Sequence, residues 1–177
     1  MNTATIASPM GPFSIIASED EVLASGWTAN PAELTALIAP SVGTPLRASH
    51  DLGPISDAAR AYFDGDLTAP DRIPVRQVGG PFLEQAWQVL RTVPAGSPIS
   101  YAEFASRVGR PGAARAAASA CSRNAAALFV PCHRVVRTGG DLGGFRWGVA
   151  VKRQLLAHEQ GELQMAAQPP PLRHQTA

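Results

Sequence analysis

Two adjacent residues, Cys132 and His133, carry the most distinctive chemistry in this 177-residue sequence. A free thiol has a pKa of about 8.5 and is mostly protonated at neutral pH. A nucleophilic cysteine therefore needs a base, a cation or helix N-terminal dipoles beside it. In a strand, neighbouring side chains point to opposite faces, whereas a turn at Pro131 would bring sulfur and imidazole together, directly or through a water. A base that passes through imidazolium also wants a carboxylate on its other nitrogen. Residues 100–160 hold three acids, Glu103, Asp141 and Glu159, and Glu159, near the end of a final helix, is the best placed. The competing reading is a buried, inert cysteine next to a surface histidine.

The elements that must position these residues fall in two parts. Thr3–Ser8, Phe13–Ala17 and Val22–Trp27 are short β-favouring runs separated by Pro-Met-Gly-Pro and an acidic turn, which predicts a hairpin or meander. Residues 31–50 fit either a short helix or a loop. Ile55–Asp64 has helical spacing with a stop at Gly65, and Leu67–Val78 reads as extended, with Ile73 and Val75 alternating. A boundary falls near residues 77–80, so that residues 1–78 form one domain and 79–161 another. In the second, Pro81 opens a helix whose stripe is Phe82, Ala86, Val89, Leu90 and Val93. Ser100 caps the next, with Glu103 at the capping-box position and Ala102, Phe104 and Val108 facing inward. After the turn Gly109-Arg110-Pro111, Gly112–Arg123 is a helix of small residues, and the pair reads as a helix-turn-helix. A last helix spans Val149–Gln160, with Val151, Leu155 and Leu156 inward. Residues 162–177 read as a disordered tail.

Composition excludes several classes. The chain is 45% hydrophobic and 16% charged, the balance of an ordinary globule rather than a disordered chain. No apolar run approaches the roughly 20 residues of a membrane span, and the N-terminus lacks a secretory pattern. Two cysteines are too few for a disulfide scaffold or a cysteine zinc site. A reduced, cytoplasmic protein with no metal and no cofactor is expected. The net charge of +1 hides an asymmetry: residues 1–99 carry a balance of −5 and residues 100–160 a balance of +6. That predicts an anion-binding second half.

The string Val-Pro-Cys-His-Arg-Val-Val at 130–136 resembles the active-site signature of the O6-alkylguanine-DNA alkyltransferases, single-turnover repair proteins of the methylated-DNA–protein-cysteine methyltransferase family. Ser100-Tyr101, Gly112-Ala-Ala-Arg115-Ala, Asn124 and Lys152…Leu155-Leu-Ala-His-Glu159 fall at the family's spacing, and Ser8-Pro-Met-Gly-Pro resembles its usual start. Residues 81–161 match continuously; residues 1–80 match in layout more than in sequence. The resemblance implies an α/β N-terminal domain, a small β-sheet with a helix of RNase H-like form. It implies a mainly α C-terminal domain with a winged-helix-like helix-turn-helix.

The resemblance also implies roles. Cys132 would be the nucleophile and permanent alkyl acceptor, His133 would take its proton through a water, and Glu159 would orient His133. Tyr101 would donate toward the purine N3, and Asn124 would brace the turn carrying Cys132. Arg115 would enter the duplex in place of the extruded nucleotide, with Ala114 and Ser119 on the same DNA-facing helix. The backbone of Cys132 and Val135 would read the exocyclic amine, and the loop near Arg146 would offer an amide to O6. Arg110, Arg123 and Arg137 are candidates for phosphate contacts. The implied partner is double-stranded DNA with an alkylated base, approached from the minor groove by a monomer that flips the nucleotide.

The sequence departs from the family at Ala118-Ser119, where many relatives carry glycine, and at Ala125, where a proline often follows the asparagine. Cys121 reads as a packing residue rather than a second acceptor. Two other readings compete. A non-catalytic sensor of alkylated bases would lack the acceptor cysteine. A Cys-His hydrolase would leave Tyr101, Arg115 and the helix pair unexplained.

Overall fold

The computed structural model describes residues 1–42 and 45–161; the expected tail at 162–177 lies outside the described residues. Strands β1 (Asn2–Ile6), β2 (Phe13–Ser18) and β3 (Glu21–Gly26) form the antiparallel meander that the sequence predicts. Their period-two alternation feeds two cores at once. Phe13, Ile15, Ala17 and Val22 face the larger core, while Ile16, Leu23 and Ala24 face a smaller one closed by Leu34. The ambiguous stretch 31–50 resolves into a one-turn helix, α1 (Ala32–Thr35), and a two-residue strand, β4 (Arg47–Ala48). That strand pairs parallel to β1, giving the order β3-β2-β1-β4.

Helix α2 (Pro54–Phe63) starts on a first-turn proline and buries Ile55, Ala58, Ala59 and Tyr62, a stripe at helical spacing. The extended run expected over 67–78 is corrected: Ala69–Arg72 is a 3-10 turn. Pro70 fixes φ within that turn. The Arg91 guanidinium holds it by donating to the carbonyls of Asp71 at 2.9 Å and Ile73 at 2.8 Å. Beyond that turn the expected alternation holds, with Ile73 in the core, Val75 half-buried against it and bridged to Val22, and Pro74 and Arg76 exposed.

The C-terminal part is built from α3 (Pro81–Leu90), α4 (Tyr101–Arg107), α5 (Ala114–Ser122) and α6 (Val149–Glu159). The α3 stripe is shifted toward Trp87, which is buried and donates through Nε1 to the Ala120 carbonyl at 2.9 Å, so α3 backs the small-residue helix α5. Ser100 caps α4 as expected, its hydroxyl accepting from the Glu103 amide at 3.0 Å. The Glu103 carboxylate turns outward to Arg107 instead of closing the box. Ala102 is exposed rather than inward; Phe104, Ala105 and Val108 form the buried face, because the helix begins at Tyr101 and turns that face under. Helix α5 starts two residues later than expected, since Gly112 has φ +84° and Ala113 lies outside the helix. Strands β5 (Ile99–Ser100) and β6 (Val135–Val136) pair in parallel, which sets the start of α4 beside the segment that follows Cys132. Among the described residues no helix is long and apolar enough to cross a membrane.

The two parts are joined through the core and through Gly26. A Cβ on Gly26 would overlap the indole ring of Trp147, which packs against the smaller core. We expect Gly26→Ala to destabilise the protein by about 1–3 kcal/mol, the usual cost of overpacking. Chemical denaturation measures it, and an unchanged midpoint would mean that Trp147 is free to move away.

Candidate active site

Cys132, His133 and Arg134 form a single 3-10 turn, preceded by Pro131 at φ −83° and ψ 65°. At three residues per turn, successive side chains diverge by about a third of a circle. Cys132 lines a pocket of about 490 Å³ that is walled by Tyr101, Cys121, Asn124, Phe145, Arg146 and Trp147. His133 turns inward and is fully buried, not on the surface, so the inert-pair reading fails on geometry.

The approach to this turn is braced on several sides. The Asn124 amide donates to the Val130 carbonyl at 2.8 Å, and its Oδ1 accepts from the Ala126 amide at 3.1 Å. Gln77, from the connection between the two parts, donates to Asn124 Oδ1 at 3.0 Å and accepts from the Ala125 amide at 2.8 Å. Ser25 of β3 exchanges backbone bonds with Ala125 and Ala127, and its hydroxyl donates to the Ala127 carbonyl at 2.7 Å. These bonds hold Leu128 at φ +76°, a conformation that costs a residue with a Cβ roughly 1–2 kcal/mol. Strain of this kind persists only where neighbours over-determine the backbone.

Behind the turn sits Glu159. Its Oε1 lies 2.7 Å from His133 Nε2 and accepts from Arg134 Nη2 at 3.0 Å and the Tyr62 hydroxyl at 2.7 Å. Arg134 Nε adds bonds of 3.1 Å to both carboxylate oxygens, while Arg134 Nη1 donates to the Val93 carbonyl at 2.7 Å. Burial by itself would raise the Glu159 carboxyl; His133 and Arg134 outweigh it and hold that carboxyl well below the usual range. Burial also lowers His133, against the pull of Glu159, so the imidazole is neutral at pH 7. An ionised carboxylate only accepts, so Nε2 carries the proton and donates. The Nδ1 atom is then an unprotonated lone pair, buried and without a hydrogen-bond partner among the described residues. No direct hydrogen bond joins it to Cys132.

The thiol itself is pushed up by burial, against the opposing influence of the Asn124 side chain and the Lys152 ammonium. It is therefore a protonated thiol at neutral pH. Lys152 is buried, donating to the carbonyls of Val135 at 2.7 Å and Gly144 at 3.3 Å. Val135 itself is fully buried and is not among the residues that wall the pocket. Tyr101 borders the pocket, its hydroxyl pushed up to about 12 mainly by burial, so it stays a donor at any physiological pH. A Cβ on Gly143 would stand 3.2 Å from that hydroxyl, and Gly143 has φ +72°, which glycine alone adopts without strain.

Of the remaining candidates, Arg137 and Arg146 line the pocket, whereas Ala114, Arg115, Ser119, Arg110 and Arg123 are not among its lining residues. Ala114, Arg115 and Ser119 lie on α5, with Arg115 and Ser119 exposed and Ala118 in the pocket wall. Arg146 is fixed by donating to the Ser122 carbonyl at the end of α5. Arg123 and Arg137 are exposed, and Arg110 is exposed with its guanidinium 4.8 Å above the Phe82 ring. Arg134, Tyr62, Gln77 and Lys152 escaped the sequence reading as site residues. Arg134 stood inside the 130–136 string without a role assigned to it. No group of three or more potential metal ligands occurs among the described residues.

Two outcomes follow from the buried carboxylate. Glu159→Gln leaves Arg134 as an uncompensated buried charge, and we expect a loss of about 3–5 kcal/mol in stability. Both His133 and Glu159 titrate lower in the folded protein than in the unfolded chain. The folded state therefore binds fewer protons, and stability falls with falling pH. The decline should begin near the unfolded histidine value of about 6.5 and steepen below about 4.3, where unfolded glutamate protonates. Thermal unfolding from pH 8 to pH 4 measures this, and a stability that rises toward pH 5 would contradict the assignment.

The comparisons with known proteins agree with this geometry. Residues 81–161 match the family model described as 6-O-methylguanine DNA methyltransferase, DNA binding domain. The methylated-DNA–protein-cysteine methyltransferase of Shigella flexneri is 36% identical over 158 residues, spanning 87% of this chain and 92% of that protein. The Mycobacterium bovis protein of the same name is 38% identical over 169 residues, spanning 88% and 90%. Among solved structures, Mycobacterium tuberculosis OGT in complex with DNA superposes with a TM-score of 0.79 at 31% identity, covering 92% of this chain and 94% of that one. The chain belongs to the methylated-DNA–protein-cysteine methyltransferase family.

Proposed function

We propose that this protein repairs DNA by moving the alkyl group of O6-alkylguanine onto Cys132, once and irreversibly. The observation that carries this reading is the placement of Cys132 in the pocket wall, in the same 3-10 turn as a neutral, carboxylate-oriented His133. Sγ attacks the alkyl carbon as the carbon–O6 bond breaks. The thiol proton passes through a water to His133 Nδ1, and the resulting imidazolium is balanced by Glu159. The electron pair of the broken bond leaves on guanine, spread over the purine, where Tyr101 donates a hydrogen bond at N3. Because the S–C bond formed is a stable thioether, each molecule acts once. The same pocket would accept O4-alkylthymine by the same chemistry.

An alkyl group on O6 inside a stacked duplex is out of reach of a buried sulfur, so the nucleotide must be extruded. Helix α5 supports a minor-groove approach because its outward residues are small, and Arg115 is exposed in its first turn with no ion-pair partner among the described residues. We assign Arg115 to the space vacated by the flipped nucleotide. Arg110, Arg123 and Arg137, all exposed, suit the phosphates on either side. In this reading α4 and α5 are the helix-turn-helix of a winged-helix-like domain at 79–161. Residues 1–78 are an RNase H-like domain that supports it, and the protein acts as a monomer in the cytoplasm.

Incubation with a duplex carrying O6-methylguanine tests the reading. Mass spectrometry should find one methyl group on the peptide containing Cys132, a plateau at one equivalent, and restored guanine. Turnover beyond one equivalent, or binding without transfer, would overturn it. Cys132→Ala should retain affinity for the lesion duplex while transferring nothing. Arg115→Ala should slow repair of the duplex by about tenfold or more, roughly 1.4 kcal/mol, with reaction on the free base unchanged. Equal losses on duplex and free base would remove Arg115 from the flipping step.

A further inference from the structure

Helix α2 lies some seventy residues before the catalytic turn and belongs to the other half of the chain, yet one of its side chains reaches the proton relay. The Tyr62 hydroxyl donates to Glu159 Oε1 at 2.7 Å, the same oxygen that holds His133 Nε2 at 2.7 Å. We propose that Tyr62 is a positioning residue of the transfer reaction, whose hydroxyl shares the oxygen that orients the imidazole and so sets how firmly His133 takes a proton at Nδ1. The proposal rests on the alkyl-transfer reading for its meaning in repair, but its physical content concerns the unreacted protein.

Three observations support it. First, Tyr62 is fully buried, its ring lies edge-on to His158 at 5.2 Å, and its own carbonyl accepts from His158 Nε2 at 2.7 Å. The hydroxyl therefore has a fixed aim. Second, burial and the Glu159 charge raise this phenol well above its ordinary range, so it remains a donor throughout the working pH range. Third, Oε1 is the crowded oxygen, taking bonds from Tyr62, His133 and Arg134, whereas Oε2 receives only Arg134 Nε. Hydrogen bonds to one lone-pair shell compete. A donor that draws on Oε1 weakens its hold on an imidazolium at Nε2.

The charged groups around His133 are few. Glu159 and Lys152 face it from α6, Arg134 and Cys132 flank it on its own turn, and Tyr62 approaches from α2, with His158 and Asp71 beyond. Removing the hydroxyl changes none of these formal charges. It leaves Oε1 a stronger acceptor for His133, so the imidazolium is better stabilised and the histidine protonates at higher pH. A purely structural role for Tyr62 predicts a loss of stability with no such displacement.

The test is a nitrogen-15 NMR titration of His133 in the unalkylated protein, wild type against Tyr62→Phe, with Phe63→Leu as a packing control. The expected result is a His133 midpoint at least half a pH unit higher in Tyr62→Phe and unmoved in Phe63→Leu. The acid limb of the single-turnover methyl-transfer rate should move upward by the same amount. An unmoved or lowered His133 midpoint in Tyr62→Phe, or an equal shift in Phe63→Leu, would overturn the proposal. Because the titration is read without DNA, it is decided independently of whether alkyl transfer occurs.

Discussion

Glu159 is a carboxylate withdrawn from water, and its burial is tolerable only because three donors from two other parts of the chain converge on it: Tyr62 of α2, and His133 and Arg134 of the 3-10 turn. An ionised carboxylate left alone in such a place would cost several kcal/mol. Arg134 supplies the compensating charge and is itself anchored to the end of α3 at Val93. The ion pair cannot form unless α2, α3, α6 and the catalytic turn are all in register. A neutral imidazole with a fixed tautomer and a satisfied buried charge thus rest on the same atoms.

The front of the site depends on a different constraint. The chain from Asn124 to Cys132 runs buried and includes Leu128 in a left-handed conformation, so it needs hydrogen-bond partners beyond its own helix and strand ladders. They come from Ser25 and Gln77 as well as from Asn124 itself. The N-terminal part therefore reaches the site twice, in front at Asn124–Ala127 through β3 and Gln77 and behind at Glu159 through Tyr62. These contacts brace the buried chain that leads into Cys132 and the carboxylate behind it.

Much of this was legible in the sequence, and the parts that were not share a cause. The meander, the capped helix at Ser100 and the final helix rest on local periodicity and local hydrogen bonds, and they appear where the pattern predicts. Cys132, His133 and Glu159 were identified by residue type and motif. Tyr62 and Gln77 are invisible to such reasoning, because their partners lie 97 and 47 positions away and their own neighbourhoods look ordinary. The strand β4 is two residues long and exists only because β1 offers an edge. Charge counting misled in one respect. Of the basic residues behind the +6 balance, Arg134 and Lys152 are buried and internally bonded, Arg107 pairs with Glu103, and Arg146 is tied to α5. The surface available to an anion is smaller than the count implies: the exposed cations of residues 100–160 left without an ion-pair or hydrogen-bond partner among the described residues are Arg110, Arg115, Arg123, Arg137 and Arg153.

The account turns on the protonation state of His133, since a base must present a lone pair to the thiol proton before attack. Nitrogen-15 spectra of the histidine-labelled, unalkylated protein at pH 7, with His133 assigned by comparison with His133→Gln, report that state directly. The account predicts a neutral ring with Nε2 protonated and Nδ1 bare. An imidazolium, or a neutral ring carrying its proton on Nδ1, would contradict it.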